Sequence, residues 1–270
     1  VTTLAAAVQT QLQRWRLRRD GHPLEAPGVV VVPVRTPDGE PAVLKITSPE
    51  RAGADETDYA HLALRRWAGD GAVRLLSADP PHRAVLLERL HSASLASVPD
   101  VQACEVIAGL YRRLHVVALP QLSTVTSHLN EWTEDLRELP RSAPIPRRLV
   151  EQALALSRGL ADDPGARLLH GNLHYDNVLA GNRAPWLAIA PRPVNGDPHY
   201  ELAPVLWSRW DEMGGDIRAA VQRRFYAMVG AAGFDEERAR AWTLVRVVRA
   251  AIRDPSQLTK YVALAKAVQD

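Results

Sequence analysis

Apolar positions divide the chain into a strand-rich first third and a helix-rich remainder. Leu4, Val8, Leu12 and Trp15 recur at spacings of three and four, which predicts an amphipathic helix over 2–17. Residues 21–27 read as loop or irregular strand. A β-branched run over 28–35, the turn signal Thr36-Pro37-Asp38-Gly39 and an apolar run over 42–46 read as paired strands. Ser48-Pro49 has the form of an N-cap followed by proline at the first helical position, predicting a helix that ends at Trp67. Residues 73–76 and 84–87 read as two further strands, completing a five-stranded antiparallel sheet. From Asp100 on the pattern is mainly helical, over 101–114, 129–139, 148–160, 202–213, 217–232, 235–252 and 255–268. Pro140, Pro144, Pro146 and the Gly214-Gly215 pair supply breaks, and no internal repeat is present.

The stretch over 168–210 departs from this regularity. Leu168-Leu169 leads into His170-Gly171-Asn172-Leu173-His174-Tyr175-Asp176-Asn177, then a short apolar run, a Gly181-Asn182 turn and Trp186-Leu187-Ala188-Ile189-Ala190-Pro191. Two short strands around a polar loop, closing on Gly196-Asp197-Pro198, are predicted. The spacing resembles a kinase catalytic loop, in which His-x-Asp is followed five residues after the Asp by a metal-binding Asn. Asn177 fills the second place. Asn172 occupies the position of the Asp, and Ala190 stands where a metal-binding Asp would open the next loop.

These residues resemble the aminoglycoside phosphotransferases, most closely the streptomycin 6-kinase branch, with its pattern HGDLHxxNVL, WxxIDPK and GDPxYD. The match runs through His170, Gly171, Leu173, His174, Asn177, Val178, Leu179, Trp186, Ile189, Pro191, Gly196, Asp197, Pro198 and Tyr200. It extends upstream to PAVLKI and LLERL and downstream to LAPVLWSRWDE, covering nearly the whole chain. The departures are Asn172, Ala190, Arg192 for Lys and Glu201 for Asp; a helix Glu that pairs with the strand lysine falls on Ala60, with Glu56 one turn away.

The resemblance implies an α+β, protein-kinase-like bilobal fold, with an antiparallel five-stranded N-lobe over 1–90 and a mainly helical C-lobe over 91–270. ATP and Mg²⁺ are the implied cofactors, with Mg²⁺ binding weakened. Lys45 would hold the α- and β-phosphates, or else be a surface lysine on an exposed strand face. Residues 88–91, with Glu88 and Leu90, would be the hinge that bonds adenine through its main chain, or an ordinary connector. Asn177 would bind the metal, or simply form a turn. Asn172 with His170 marks the catalytic position, where an amide cannot take the proton that an Asp would. Ala190 marks a lost metal ligand. Asp176 and Asp197 are conceivable but unconvincing substitutes. The chain is therefore expected to be severely impaired, whether as a natural pseudokinase or as a disarmed variant. Glu201, Asp211 and Glu212, with Glu131, Glu134 and Asp135, suggest a small cationic aminoglycoside or cyclitol as partner, or else a solvated helix face. Trp207 and Trp210 are expected to pack in the core.

Composition narrows this little further. An apolar share of 46% and a charged share of 24% are ordinary for a globular protein. A net charge of +2, with acids and arginines interspersed, argues against nucleic-acid binding. No apolar run reaches the length of a membrane span, and no signal-peptide pattern opens the chain. The single cysteine, Cys104, excludes an internal disulfide and fits a cytoplasmic, monomeric protein, with a packing role for the thiol. Lysines are limited to Lys45, Lys260 and Lys266, which makes Lys45 conspicuous inside an apolar strand.

Overall fold

The computed structural model of the chain describes residues 4–48, 59–162 and 165–269. Helix α1 (Leu4–Arg14) is followed by strands β1 (Arg18–Arg19), β2 (Leu24–Ala26), β3 (Val29–Arg35) and β4 (Pro41–Thr47). Helix α2 (Ala60–Trp67) and strands β5 (Leu75–Asp79) and β6 (Ala84–Glu88) complete the first part. The sheet is antiparallel throughout, in the order β1-β3-β4-β6-β5, with β2 also on β3. The irregular stretch thus supplies an interrupted edge. β1 pairs with the end of β3 at Val34 and Arg35, β2 with its start, and Gly21 and Pro23 fall in the gap, where no ladder bond is needed.

Alternation along β3 and β4 gives the sheet two faces. Val30, Val32, Val34, Ala42, Leu44 and Ile46 bury against Val8 and Leu12 of α1. Lys45 pairs with Val31 on one side and Val85 on the other, on the face turned away from α1. That face looks toward α2. Of the predicted helix over 48–67 only Ala60–Trp67 is described; Pro49 and Glu56 lie outside the described residues. Trp67, Leu64 and Ala63 belong to the larger core of the second part, and Trp67 Nε1 donates to Leu114 O at 2.8 Å. The predicted strand at 73 instead begins at Leu75, because the Val73 amide donates to Ala188 O at 2.8 Å.

The second part holds α3 (Asp100–Leu114), α4 (Val125–Arg137) and α5 (Arg147–Ala161). Strands β7 (Arg167–Leu169), β8 (Val178–Ala180), β9 (Trp186–Ala188) and β10 (Val194–Gly196) form two ribbons, β7 with β10 and β8 with β9. Helices α6 (Ala203–Trp207), α7 (Ile217–Ala232), α8 (Glu236–Arg253) and α9 (Leu258–Gln269) follow. Helix α4 starts earlier than the apolar spacing predicts because Thr124 and Ser127 form a reciprocal cap. Asp216 and Asp235 cap α7 and α8 in the same way, each accepting from an amide three residues on. The helix predicted over 202–213 is broken. Arg209 is left-handed (φ 51°), so α6 ends at Trp207 and Trp210–Glu212 form a separate turn. Cys104 is buried, as its spacing predicts. Among the described residues no helix is long and apolar enough to cross a membrane.

Candidate active site

The loop after β7 is held by its main chain and by groups beneath it. Gly171 is left-handed (φ 75°), and a Cβ there would lie 2.0 Å from Arg192 O, so only glycine fits. The Arg192 amide donates to His170 O at 2.9 Å, tying the loop to the segment after β9. His170 is fully buried and lies parallel to Trp67, centroids 6.0 Å apart. Its Nε2–H donates to Ile189 O at 3.0 Å while Nδ1 accepts from the Asn172 amide at 3.3 Å, which fixes one neutral tautomer. Burial pushes its pKa down to about 4. His170 therefore positions two loops and offers no proton to a substrate.

Asn177 is oriented without ambiguity. Its Nδ2 donates to Asn172 O at 2.8 Å and lies 2.9 Å from His174 Nε2, so turning the amide over would set its oxygen against a carbonyl. The Oδ1 atom is the acceptor that these two contacts leave unused. His174 is thereby fixed as an acceptor at Nε2, and its Nδ1 lies 3.5 Å from Asp176 Oδ2. His174 stands inside the quoted motif, yet its role in setting the amide could not be read from spacing. Ile189 donates its amide to Asn177 O at 2.8 Å and Ala190 follows in the left-handed region at φ 53°. That conformation suits Asp, Asn or Gly and strains Ala.

Lys45 opens on a crevice whose walls include Ala60 and His61 of α2, Arg83 and Pro191. The structure thus brings Lys45, Ala60 and Pro191 to one crevice. At the hinge, the Glu88 amide donates to Arg74 O at 3.0 Å and the His91 amide to Ala180 O at 2.9 Å. No hydrogen bond of the Leu90 amide is seen among the described residues. The Glu88 carboxylate is taken up by Arg183 and by the Arg74 amide.

The expected place of Glu201 in an acidic substrate wall is corrected. Glu201 is fully buried beneath the loop, its Oε1 accepting from the His170 amide and, at 3.2 Å, from the Gly171 amide, with His115 Nε2 at 3.6 Å. Burial, which would raise its pKa, is outweighed by the bond from the His115 ring and by the Gly171 amide, and the carboxyl lies below its ordinary value. Tyr111 stacks on His115 and donates to Glu201 O at 3.0 Å. Arg246 adds bonds to Tyr200 O and Gly171 O. None of these partners carried a sequence signal, because they lie 30 or more residues apart. Glu212 is paired with Arg209, Glu134 with Arg137 and Asp135 with Arg249. The break at Arg209 turns Asp211 and Glu212 off the helix on which they were expected. Asp197 is also excluded as a substitute base. It is buried and bonded by His199, Trp242 and Arg238, and the His199 and Trp242 bonds hold it down to about 2 against the opposing effect of burial.

Magnesium takes oxygen ligands, usually one or two carboxylates with phosphates and water. Of the two expected ligand positions only Asn177 carries a side-chain oxygen, position 190 offers a methyl group, and the described residues hold no cluster of three His, Cys, Asp or Glu suited to a metal. The residues fit magnesium poorly.

A family model described as "Aminoglycoside/hydroxyurea antibiotic resistance kinase" matches residues 14–256. The chain is 40% identical to a streptomycin 6-kinase of Streptomyces griseus, over 98% of this chain and 91% of that one. It is also 40% identical to a hydroxyurea phosphotransferase of Kitasatospora aureofaciens, over 92% and 72%. Among solved structures, choline kinase LicA from Streptococcus pneumoniae superposes with a TM-score of 0.65 at 13% identity, covering 98% of this chain and 99% of that chain. At that identity the likeness speaks to the fold alone, which is kinase-like.

Proposed function

Because the chain belongs to the aminoglycoside/hydroxyurea antibiotic resistance kinase family, we propose that it keeps that family's nucleotide cleft while its phosphoryl transfer from ATP to an acceptor hydroxyl is severely slowed. One observation carries this reading. The bonds that fix the Asn177 amide within the loop are intact, whereas positions 172 and 190 hold an amide and a methyl group. Phosphoryl transfer asks the protein mainly to position the reacting groups and to balance charge. Lys45 supplies a cation for the phosphates, and the main chain around Leu90 supplies the edge that a nucleobase meets. Asn172 can orient an acceptor hydroxyl but cannot remove its proton, a deficit of roughly 10² to 10⁴ in rate. No step is assigned to a metal, since the residues fit one poorly.

The acceptor is of the aminoglycoside or cyclitol class, by the relatives' activity. A second acceptor class, hydroxyurea, is suggested by the 40% identical hydroxyurea phosphotransferase. The alternative to a slow kinase is a non-catalytic module that binds nucleotide or aminoglycoside. Turnover with ATP, Mg²⁺ and either streptomycin or hydroxyurea, in the parent chain and in the Asn172→Asp/Ala190→Asp double variant, separates these readings. The double variant is expected to exceed the parent by about 10² or more in kcat. Parent turnover equal to the double variant's sinks the proposal. Nucleotide binding with no turnover in either protein supports the binding module.

A further inference from the structure

The turn between β8 and β9 projects one arginine out of the second part of the molecule and into the first. Arg183 Nε lies 3.0 Å from both Glu88 carboxylate oxygens and Nη2 lies 2.6 Å from Oε1, a forked ion pair at the end of β6. The same guanidinium donates to Ala72 O at 2.6 Å and to Gly69 O, between α2 and β5. Glu88 Oε1 also accepts the Arg74 amide at 2.7 Å. Both side chains are mostly shielded, Arg183 28% and Glu88 19% exposed. A planar guanidinium whose fork and remaining donors are used in fixed directions constrains geometry in a way that a loose surface pair does not.

The neighbours of Arg183 extend this tie. Asn182 Oδ1 accepts from His91 Nε2 at 2.7 Å, and Ala180 exchanges main-chain bonds with His91 and Ala93 at 2.9 Å each. Ala188, at the far end of the hairpin, bonds to Gly71 and Val73. The hairpin that begins beside Asn177 and ends at Ile189 therefore grips both segments, 69–74 and 88–93, through which the sheet joins the rest of the protein.

We infer that Arg183 is a positioning residue for the nucleotide: it clamps the hinge to the catalytic hairpin, so that the cleft is preset before nucleotide arrives and does not swing shut around it. This rests on the nucleotide-cleft reading above, but the clamp itself is measurable without any nucleotide. It also accounts for the Glu88 side chain, which faces Arg183 and leaves only main chain at the hinge for a base.

The test uses the full chain with thiol-reactive spin labels at Asp38→Cys and Arg158→Cys, both exposed, one in the turn between β3 and β4 and one on α5. Cys104 stays unlabelled, being buried with its thiol pushed up to about 11 by that burial. Pulsed EPR should give a narrow label-to-label distribution that neither ATP nor ADP moves. R183A and R183K, the latter keeping charge without the fork, should broaden it, and ATP should narrow it again while binding at least tenfold more weakly. E88Q probes the clamp from the other side and serves where R183A fails to fold, a failure detected by near-UV circular dichroism. Superimposable nucleotide-free distributions in the parent, R183K and E88Q would overturn the clamp. So would a parent distribution that narrows markedly on adding ATP. A parent that binds no ATP defeats the functional reading instead, and the nucleotide-free distances still decide the role of Arg183.

Discussion

If Glu201 is a support of the loop and not a ligand for a cationic acceptor, removing it must cost stability before it costs anything else. Glu201→Ala leaves the amides of His170 and Gly171 without their acceptor in a site closed to water. A buried donor deprived of its partner costs about 1–3 kcal/mol, so the pair is expected to cost about 3–5 kcal/mol. A domain of ordinary stability, about 5–15 kcal/mol, still folds under that loss. Glu201→Gln keeps an oxygen in place and loses only the charge-assisted part of the bonds, with an expected cost of about 1–2 kcal/mol. Urea unfolding followed by circular dichroism at pH 7 measures both. The pH dependence gives an independent check. The folded-state pKa of Glu201 is depressed, so its contribution is present above the ordinary glutamate value and is lost as pH falls through the lower folded value. Glu201→Gln should remove that part of the acid slope. Variants within 0.5 kcal/mol of the parent would refute the argument and return Glu201 to the substrate wall.

Three further outcomes follow from the same loop. His170 has a pKa of about 4 when folded, well below the ordinary imidazole value, so unfolded chains bind the extra proton as pH falls below about 6.5. Stability should drop by about 2–3 kcal/mol between pH 6.5 and 4.5, and His170→Gln should flatten urea-unfolding free energies over that window; an unchanged slope would rule out His170 as its source. Gly171→Ala must displace Arg192 O, which a Cβ would approach to 2.0 Å; a loss of about 3–5 kcal/mol is expected, and a thermal midpoint within 2 °C of the parent would contradict the geometry. Ala190 sits in the left-handed region at φ 53°, so Ala190→Gly or Ala190→Asn should stabilise by about 0.5–1 kcal/mol, which differential scanning calorimetry resolves; destabilisation by either would show that the strain is absent.

The sheet was legible because burial and chain period coincide there. Val30, Val32 and Val34 alternate with polar or half-exposed positions, and the same alternation assigns Lys45 to the opposite face. Helix boundaries were legible where apolar spacing and caps agree, as in α7, and less so in α4, whose Thr124–Ser127 cap lacks the usual Glu or Gln. The acids misled for a physical reason. A carboxylate in a sequence displays its charge and hides its burial, so Glu201 reads as a cation ligand until the His170 and Gly171 amides are seen pointing at it. Arg209 carried no warning of its left-handed backbone, since several of its partners, Asp100, Tyr175 and Val98, lie far away in the chain. Arg183 was invisible because its partners lie 95 to 114 residues away, and local pattern has no reach over that distance.

Support and chemistry are separable in this site. The bonds that shape the loop run between main-chain groups and the side chains of His170, His174, Asn177, Glu201 and Arg246. Asn172 contributes only its amide and carbonyl to that set, and no hydrogen bond of its side chain is seen among the described residues. Ala190 contributes a backbone turn that an aspartate adopts at least as readily. Exchanging an acid for an amide at one position and for a methyl group at the other therefore leaves the framework nearly untouched while removing the groups that would accept a proton and hold a cation. Restoring both acids should accordingly act on kcat and hardly on stability, the reverse of what Glu201→Ala and Gly171→Ala should do. A double variant that gained turnover only by becoming several kcal/mol more stable would mean that the framework itself, and not the missing oxygens, had been at fault.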